Sequence, residues 1–590
     1  MLGGESYTLM NNVTCDSLSS ERKLSLDEAC LTVTNFDALN ILDLWAQVEE
    51  CYNCSSWKFL SLKPRTSSFL KVNSTYVTNI FIETPLSVCL HKYRFHFDQH
   101  GIYSVKFNSS HFYPIATEQQ GNNEYAAILA AALFFFFLYV FVLAAKFLHF
   151  KMEEGRFSRY TSRRENVTNL SEESLSIYNE ASETEPLNQI EATSHSVSKR
   201  LNSLDTFRGY LIAIIMMIFV NYKGGKYYFF NHSPWNGLTV ADLVFPWFMW
   251  IMGVSLILSI HSQLRRQVTR SSMVFKIFKR SFILFGLGII NNSLKSNNLP
   301  NFRIFGVLQR FSLCYFINAI PEVFFMKGEL VEYDSSLFRI QDLFHSWAQW
   351  LIIDFLVIVH TVLTFALKVP GCPTGYLGPG GIQADGAYVN CTGGSAGFID
   401  RVFLGENHMY GHPSCKQIYD SSMHFDPEGP FGTLTSCLTV QLGLCAGRII
   451  HYYETNAERL WRWLMWGIIL GIIAGFLCSW SKETGIIPVN KNLWSLSFVF
   501  VTASFAMFLF AILYYFIDAK EKWNGGIFRA MGMNSILLYI GHEATKGVFP
   551  WSWTPSPKTH SGILFMSIWG TSLWVLIGLL CHKKKLYLSI

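Results

Sequence analysis

Residues 125–145 read YAAILAAALFFFFLYVFVLAA, an apolar run without a charge. A helix needs about 20 consecutive, mostly apolar residues to cross a hydrocarbon core of about 30 Å, so this stretch is predicted to span a membrane. Its flanks differ. Lys146, Lys151, Arg156, Arg159, Arg163 and Arg164 follow it closely, whereas Lys106 is the cation in the stretch before it. Basic residues collect on the cytosolic side of a span. The segment after the run is therefore expected in the cytosol, and residues 1–124 on the lumenal or extracellular side.

Cysteines and glycosylation sequons test that orientation independently of charge. Residues 1–124 contain Cys15, Cys30, Cys51, Cys54 and Cys89, and sequons at Asn12, Asn53, Asn73 and Asn108, which suits an oxidising, glycosylating compartment. Val, Thr, Tyr and Phe alternate in 69–82 and 91–107 as they do in strands, so a small β-rich domain is expected. Residues 1–10 lack a basic n-region and an apolar h-region. The segment is translocated without a cleaved signal, or the sequence begins after one.

Further along, apolar blocks recur at about 206–222, 239–260, 274–292, 304–326, 347–367, 433–453, 460–479, 494–517, 531–549 and 561–581. With the first run they predict an all-α polytopic membrane protein of about 11 transmembrane helices. The expected layout is a lumenal glycosylated domain (1–124), a first span (125–145), a disordered Ser/Glu-rich cytosolic linker (146–203), a ten-helix domain (204–582) and a cytosolic tail (583–590). A lumenal loop over 368–432 carries a sequon at Asn390. Counting from a lumenal N-terminus puts Arg265, Arg266, Arg270 and Lys583, Lys584, Lys585 in the cytosol, in agreement with the charge bias. Composition fits: half the chain is hydrophobic and 15% charged, against about 25% charged in a soluble domain. A net charge of +5 without a long basic run excludes nucleic acid as an expected partner. The loop adds Cys372, Cys391 and Cys415. Full oxidation of these three and the five upstream would require a disulfide between the two segments; the alternative is a free buried thiol in each. A redox role for the Cys51/Cys54 C-x-x-C pair lacks the thioredoxin-like βαβ context it needs.

Ionisable residues inside membrane helices are costly and mark functional sites. Asp205 and Arg208 stand at i and i+3, as an ion pair that orients the helix or as part of a site. In the short aromatic link after the second span, His232 is the side chain able to exchange a proton near neutrality, with an interfacial hydrogen bond as its plainer role. Asn221 is either a helix C-cap or a donor to a developing oxyanion. Asp242 is an inward carboxylate or a helix N-terminal charge. Arg310, with Arg208 and Arg280, forms a phosphate-binding set, unless it closes a structural salt bridge. Asn534 and Ser535 face a cavity or a neighbouring helix rather than lipid. His408, His412 and Cys415 have a spacing that zinc tolerates, but no fourth ligand is specified and no metal is expected. Tyr587 and Ile590 frame a Tyr-x-x-apolar sorting pattern in the tail.

Residues 204–209, Asn221 with the Gly-Gly-Lys-Tyr after it, His232 with 235–248, and 306–310 together resemble the heparan-α-glucosaminide N-acetyltransferase family. Segments 371–381, 426–429, 487–497 and 532–543 are similar to it as well. The resemblance covers roughly 125–582; residues 1–124 share mainly placement and cysteine content. It implies a lysosomal membrane enzyme that moves the acetyl group of cytosolic acetyl-CoA to the terminal glucosamine amine of heparan sulfate, with membrane lipid around it. The family's active-site histidine falls on His232 and its partner asparagine on Asn221. Arg208, Arg280 and Arg310, with Asn534 and Ser535, are then expected to hold coenzyme A. Direct transfer and an acetyl-histidine relay both remain open, and the aromatic spans leave surface for a homodimer. An ion-coupled secondary transporter is the alternative from another class, although no internal repeat supports it.

Overall fold

The computed structural model describes residues 7–10, 24–84, 87–108, 111–168, 201–209, 214–294, 298–326 and 346–588. The sequon at Asn12, the core of the linker expected over 146–203 and Ile590 of the tail pattern lie outside them.

The alternating segment at the N-terminus folds as β-strands, because period-two burial lets one face of each strand turn inward. The strands are β1 (Tyr7–Met10), β2 (Glu28–Asn35), β3 (Leu42–Val48), β4 (Trp57–Leu62), β5 (Ser67–Asn73), β6 (Thr78–Thr84), β7 (Ser87–Phe95), β8 (Ile102–Asn108), β9 (His111–Phe112) and β10 (Ala116–Gln119). One sheet runs β1-β5-β2-β8-β10 with β9 on β8; the other runs β4-β3-β6-β7. Pairing is antiparallel except between β2 and β8. Leu31, Val33, Leu44, Leu70, Ile80 and Val105 form the shared core.

The helices are α1 (Ala126–Thr168), α2 (Asn202–Gly209), α3 (Ile215–Asn221), α4 (Val240–Arg265), α5 (Arg270–Ser293), α6 (Val307–Phe325), α7 (Trp347–Ala366), α8 (Gly394–Leu404), α9 (Pro430–Tyr452), α10 (Asn456–Leu477), α11 (Leu496–Tyr514), α12 (Gly526–Gly532), α13 (Ser535–Ala544) and α14 (His560–Lys583). Among the described residues seven helices are long and apolar enough to cross a membrane: Ala126–His149, Val240–Arg265, Trp347–Ala366, Pro430–Tyr452, Asn456–Leu477, Leu496–Ala519 and His560–Lys583. The other four expected spans differ in kind. Two coincide with α5 and α6, which carry internal charges such as Lys276, Lys279, Arg280, Arg310 and Glu322. The expected 206–222 corresponds to α2 and α3. The expected 531–549 breaks at Asn534, whose φ/ψ of −120/32 is not helical.

At the centre α4 packs along α9. A Cβ on Gly253 would collide with the Val440 carbonyl oxygen, and one on Gly443 with that of Trp250. Small residues let membrane helices approach this closely. Phe207, Trp250, Trp463 and Phe510 interlock beside the contact.

The cysteines settle the disulfide question differently from full oxidation. Cys372 bonds to Cys391 and Cys51 to Cys54, while Cys415 is a buried free thiol. With all three loop cysteines accounted for, no disulfide joins the loop to the β-domain. Hydrogen bonds do so instead. The Tyr419 hydroxyl donates to Glu50 O and accepts from Tyr52 N, both at 3.2 Å, and Ala384 N donates to Asn53 O at 2.7 Å.

Candidate active site

His232 is held by the start of α4. Thr239 and Asp242 form a capping box there, the arrangement that satisfies the free N–H groups of a helix beginning. Asp242 Oδ2 accepts from Thr239 N, Thr239 Oγ1 and Ser233 N at 3.0–3.1 Å. Its Oδ1 takes the fourth bond, from His232 Nδ1 at 2.7 Å. A carboxylate only accepts, so the imidazole proton lies on Nδ1 and Nε2 presents its lone pair. Asp242 is 1% exposed and His232 45%: the anion is buried and the ring reaches out. Both readings of Asp242 thus apply at once, helix charge and inward carboxylate.

Asn221 ends α3. Lys223, Gly224, Gly225 and Lys226 follow in left-handed conformations, which turn the chain back towards His232 and favour glycine at two of the four positions. Asn221 Nδ2 lies 2.8 Å from His542 Nε2 and 3.0 Å from Glu543 Oε1. It is thereby tied to α13.

Lys491 donates to the histidine: an ammonium has no acceptor, and with the Nδ1 proton given to Asp242 the Nε2 lone pair receives the lysine N–H. Its Nζ is 3.0 and 3.2 Å from the two ring nitrogens of His232 and 3.7 Å from Asp242 Oδ1. Nearby, Arg303 is bidentate to Asp426 and also reaches Glu428 at 2.7 Å, with its guanidinium over the Tyr410 ring. Burial alone would raise the Glu428 carboxyl, but the fields of Arg303, Lys491 and Arg310 outweigh it and hold the group at about 2. Among acids nearby, burial pushes Asp400 up to about 7, although it accepts from Phe431 N at 2.8 Å.

Asn221, His232, Lys491, Arg303, Glu428 and Glu543 share a cavity of about 720 Å³ that is also lined by Arg208 and Arg280. Along α4 the lining positions Ala241, Val244, Phe248, Ile251, Ser255 and Ser259 recur at helical spacing, one face of the helix. At 1.5 Å per residue they extend about 27 Å, close to a membrane's thickness. Arg208 Nη2 donates to Ser255 Oγ at 2.6 Å, about 20 Å along α4 from Asp242.

Asn221, His232, Arg208, Arg280 and Ser535 therefore meet in one cavity. Asp205 is buried behind Arg208, 3.6 Å from its Nη1. Arg310 does not line the cavity; its Nη2 donates to Gly429 O at 2.7 Å and the guanidinium lies over Trp494. Asn534 instead bonds the tail through Leu586 O and Leu588 N. His408 Nδ1 is turned to Phe302 O, His412 lines the cavity, and Cys415 is buried in a separate apolar cluster. Sequence reasoning missed Lys491, Arg303 and the contact of His542 and Glu543 with Asn221. The last two carried a signal, an adjacent ionisable pair in an apolar block; Lys491 sits in a polar loop with no pattern around it.

Apolar helices long enough to cross a membrane, around a cavity lined by His232 of an imidazole–carboxylate pair and by the guanidinium groups of Arg208 and Arg280, define the class as a polytopic helical membrane protein. The comparisons with known proteins are specific. The family described as "Heparan-alpha-glucosaminide N-acetyltransferase, catalytic" matches residues 200–332. The human heparan-alpha-glucosaminide N-acetyltransferase is 38% identical over 599 residues, covering 96% of this chain and 89% of that protein. The mouse protein of the same name is 47% identical over 406 residues, covering 68% of this chain and 62% of the mouse protein's length. The chain belongs to the heparan-α-glucosaminide N-acetyltransferase family.

Proposed function

We propose that the protein is a lysosomal membrane acetyltransferase, which takes the acetyl group of cytosolic acetyl-CoA and places it on the terminal glucosamine amine of heparan sulfate in the lumen. The reading includes about eleven spans, a lumenal β-domain and a cytosolic tail whose Tyr587 belongs to a sorting signal. The observation that carries it is the single cavity with the His232 Nε2 lone pair near one end and Arg208 and Arg280 well along it. Arg280 Nε is buried without a hydrogen-bond partner among the described residues, and a buried donor of that kind calls for an acceptor such as a phosphate oxygen. The extended pantetheine arm then follows the apolar face of α4 and delivers the thioester to His232.

In the reaction the neutral amine attacks the thioester carbon, forming the C–N bond. His232 Nε2 accepts the proton released by the nitrogen, and Asp242 stabilises the imidazolium. The Lys491 ammonium, which gives up Nε2 to the incoming amine proton, is the nearest cation for the negative oxygen of the tetrahedral intermediate. When the C–S bond breaks, the imidazolium returns its proton to the departing sulfur, leaving the amide and free coenzyme A.

Purified protein in detergent, given radiolabelled acetyl-CoA and glucosamine, is expected to yield N-acetylglucosamine. A folded sample that forms no product but takes up solute in proteoliposomes would sink the enzyme reading in favour of a transporter. Labelled protein trapped with acetyl-CoA alone, and lost in His232→Ala, would replace direct transfer with an acetyl-histidine relay.

A further inference from the structure

We infer that Asn221 acts through its side-chain carbonyl oxygen, as the acceptor for the sugar's amine, and that His542 and Glu543 are the positioning residues that enforce this. The inference deepens the acetyltransferase reading and rests on it. An asparagine amide has one acceptor and one donor end, and the two are told apart by their partners. Glu543 Oε1 stands 3.0 Å from the atom in question, and a carboxylate can only accept. That atom is therefore Nδ2, and one of its hydrogens goes to Glu543.

The second hydrogen is fixed by His542. Its Nδ1 lies 3.0 Å from Leu538 O, a carbonyl that only accepts, so Nδ1 carries a proton; in the neutral ring Nε2, which also stands 3.5 Å from Glu543 Oε1, is the lone pair. Nε2 then accepts from Asn221 Nδ2 at 2.8 Å. Turning the amide around would press Oδ1 against a carboxylate oxygen and an unprotonated nitrogen together. One orientation gives Glu543 Oε1 and the neutral His542 ring each a donor; the other gives neither of them one.

Both amide hydrogens of Asn221 are thus committed inside the protein. Asn221 lines the cavity, and among the described residues its hydrogen bonds all run through Nδ2. The end left to meet a ligand is Oδ1. An oxygen cannot donate to a developing oxyanion. It does match an amine N–H, and holding one N–H there aims the nitrogen lone pair away from Asn221 and towards the thioester carbon. The site thereby selects for an amine over a hydroxyl-only sugar, since a hydroxyl that donates to Oδ1 has no second proton for His232.

The experiment uses the full chain in detergent and separates binding from turnover. Equilibrium binding of radiolabelled glucosamine with coenzyme A present, and steady-state KM and kcat for both substrates, are measured for wild type, Asn221→Asp combined with Glu543→Gln, Asn221→Leu alone and Glu543→Gln alone. Asn221→Asp keeps an oxygen towards the cavity but sets its other oxygen against Glu543, so it is paired with Glu543→Gln, whose amide donates to it, and that double variant is expected to bind glucosamine within about threefold of wild type. Asn221→Leu removes it, and Glu543→Gln offers a donor that lets the amide turn around. Each is expected to weaken glucosamine binding about tenfold, the upper end for one neutral hydrogen bond, with KM for acetyl-CoA unchanged. Size-exclusion and melting profiles identify any misfolded variant, and Glu543→Gln tests the point should Asn221→Leu fail to fold. Unchanged glucosamine binding in both, with the whole loss in kcat, would overturn the inference and restore Asn221 as an oxyanion donor. Wild type that binds glucosamine but never acetylates it would instead remove the acetyltransferase reading, leaving the binding contrast between the variants intact.

Discussion

Asp242 accepts four hydrogen bonds from three residues, and one of them sets the tautomer of His232. Replacing it with asparagine keeps the size but offers His232 an N–H where it needs an acceptor. For Asp242→Asn we expect kcat to fall by about 10²–10⁴, the usual worth of a general base, with acetyl-CoA binding retained by equilibrium dialysis. His232→Ala is expected to lose as much. A second residue-scale prediction concerns pH. Asp400 titrates at about 7 in the folded chain against an ordinary aspartate value of 3.8. The native state therefore holds a proton that the unfolded state has released, and between about pH 4 and 7 stability falls as pH rises, by up to about 1.4 kcal/mol per unit. Melting temperature across that range should decline in wild type and flatten in Asp400→Asn. His232, Asn221 and Asp242 are legible in the sequence because charged or polar groups next to apolar blocks stand out. Lys491 is not, because a lysine in a lumenal-type loop is ordinary until its neighbour is known.

At the scale of elements, the contact between α4 and α9 decides the width of the bundle. Gly253 and Gly443 stand where any side chain would strike the partner's backbone. For Gly253→Leu or Gly443→Leu we expect a loss of about 1–3 kcal/mol or more from overpacking, read as a lower melting temperature in detergent. Activity should fall with it, since α4 supplies one wall of the cavity. The same elements show where sequence periodicity misleads. An apolar run over 531–549 reads as one span, yet α12 and α13 are separate, because Asn534 leaves the helical conformation and turns its amide to the backbone of Leu586 and Leu588. The run is apolar in either case, and hydropathy does not register a side chain that prefers a distant backbone to helix continuity. The strands of the β-domain were legible because alternation is itself the signal.

For the whole molecule, the orientation proposed above has a direct consequence. If residues 1–124 and the 368–432 loop are lumenal, Asn53 and Asn390, both exposed, are available for glycan addition together with Asn73. Peptide:N-glycosidase treatment should shift the mobility of wild-type protein from membranes, and Asn390→Gln should remove one step of that shift. An unshifted wild type would reverse the orientation. Sealed vesicles with the lumenal face inside should acetylate internal glucosamine from external acetyl-CoA, which tests both ends of the cavity at once.

Sequence alone determined that the chain carries long apolar helices, seven of which lie within a few residues of the expected spans, that a β-rich segment precedes them, and which polar residues stand out against the apolar blocks. Those are local properties: hydropathy over a helix length, alternation over a strand, and the cost of a charge in lipid. Tertiary structure decided which of those residues work together. Asn221 meets Glu543 across 322 positions and His232 meets Lys491 across 259. Contacts at that range leave no periodicity in the chain, because they arise only when several helices pack to bring their polar ends to one mouth. It also decided that Arg310 braces Gly429 instead of lining the cavity, and that Cys415 stays a thiol. Each outcome depends on which neighbour the fold supplies.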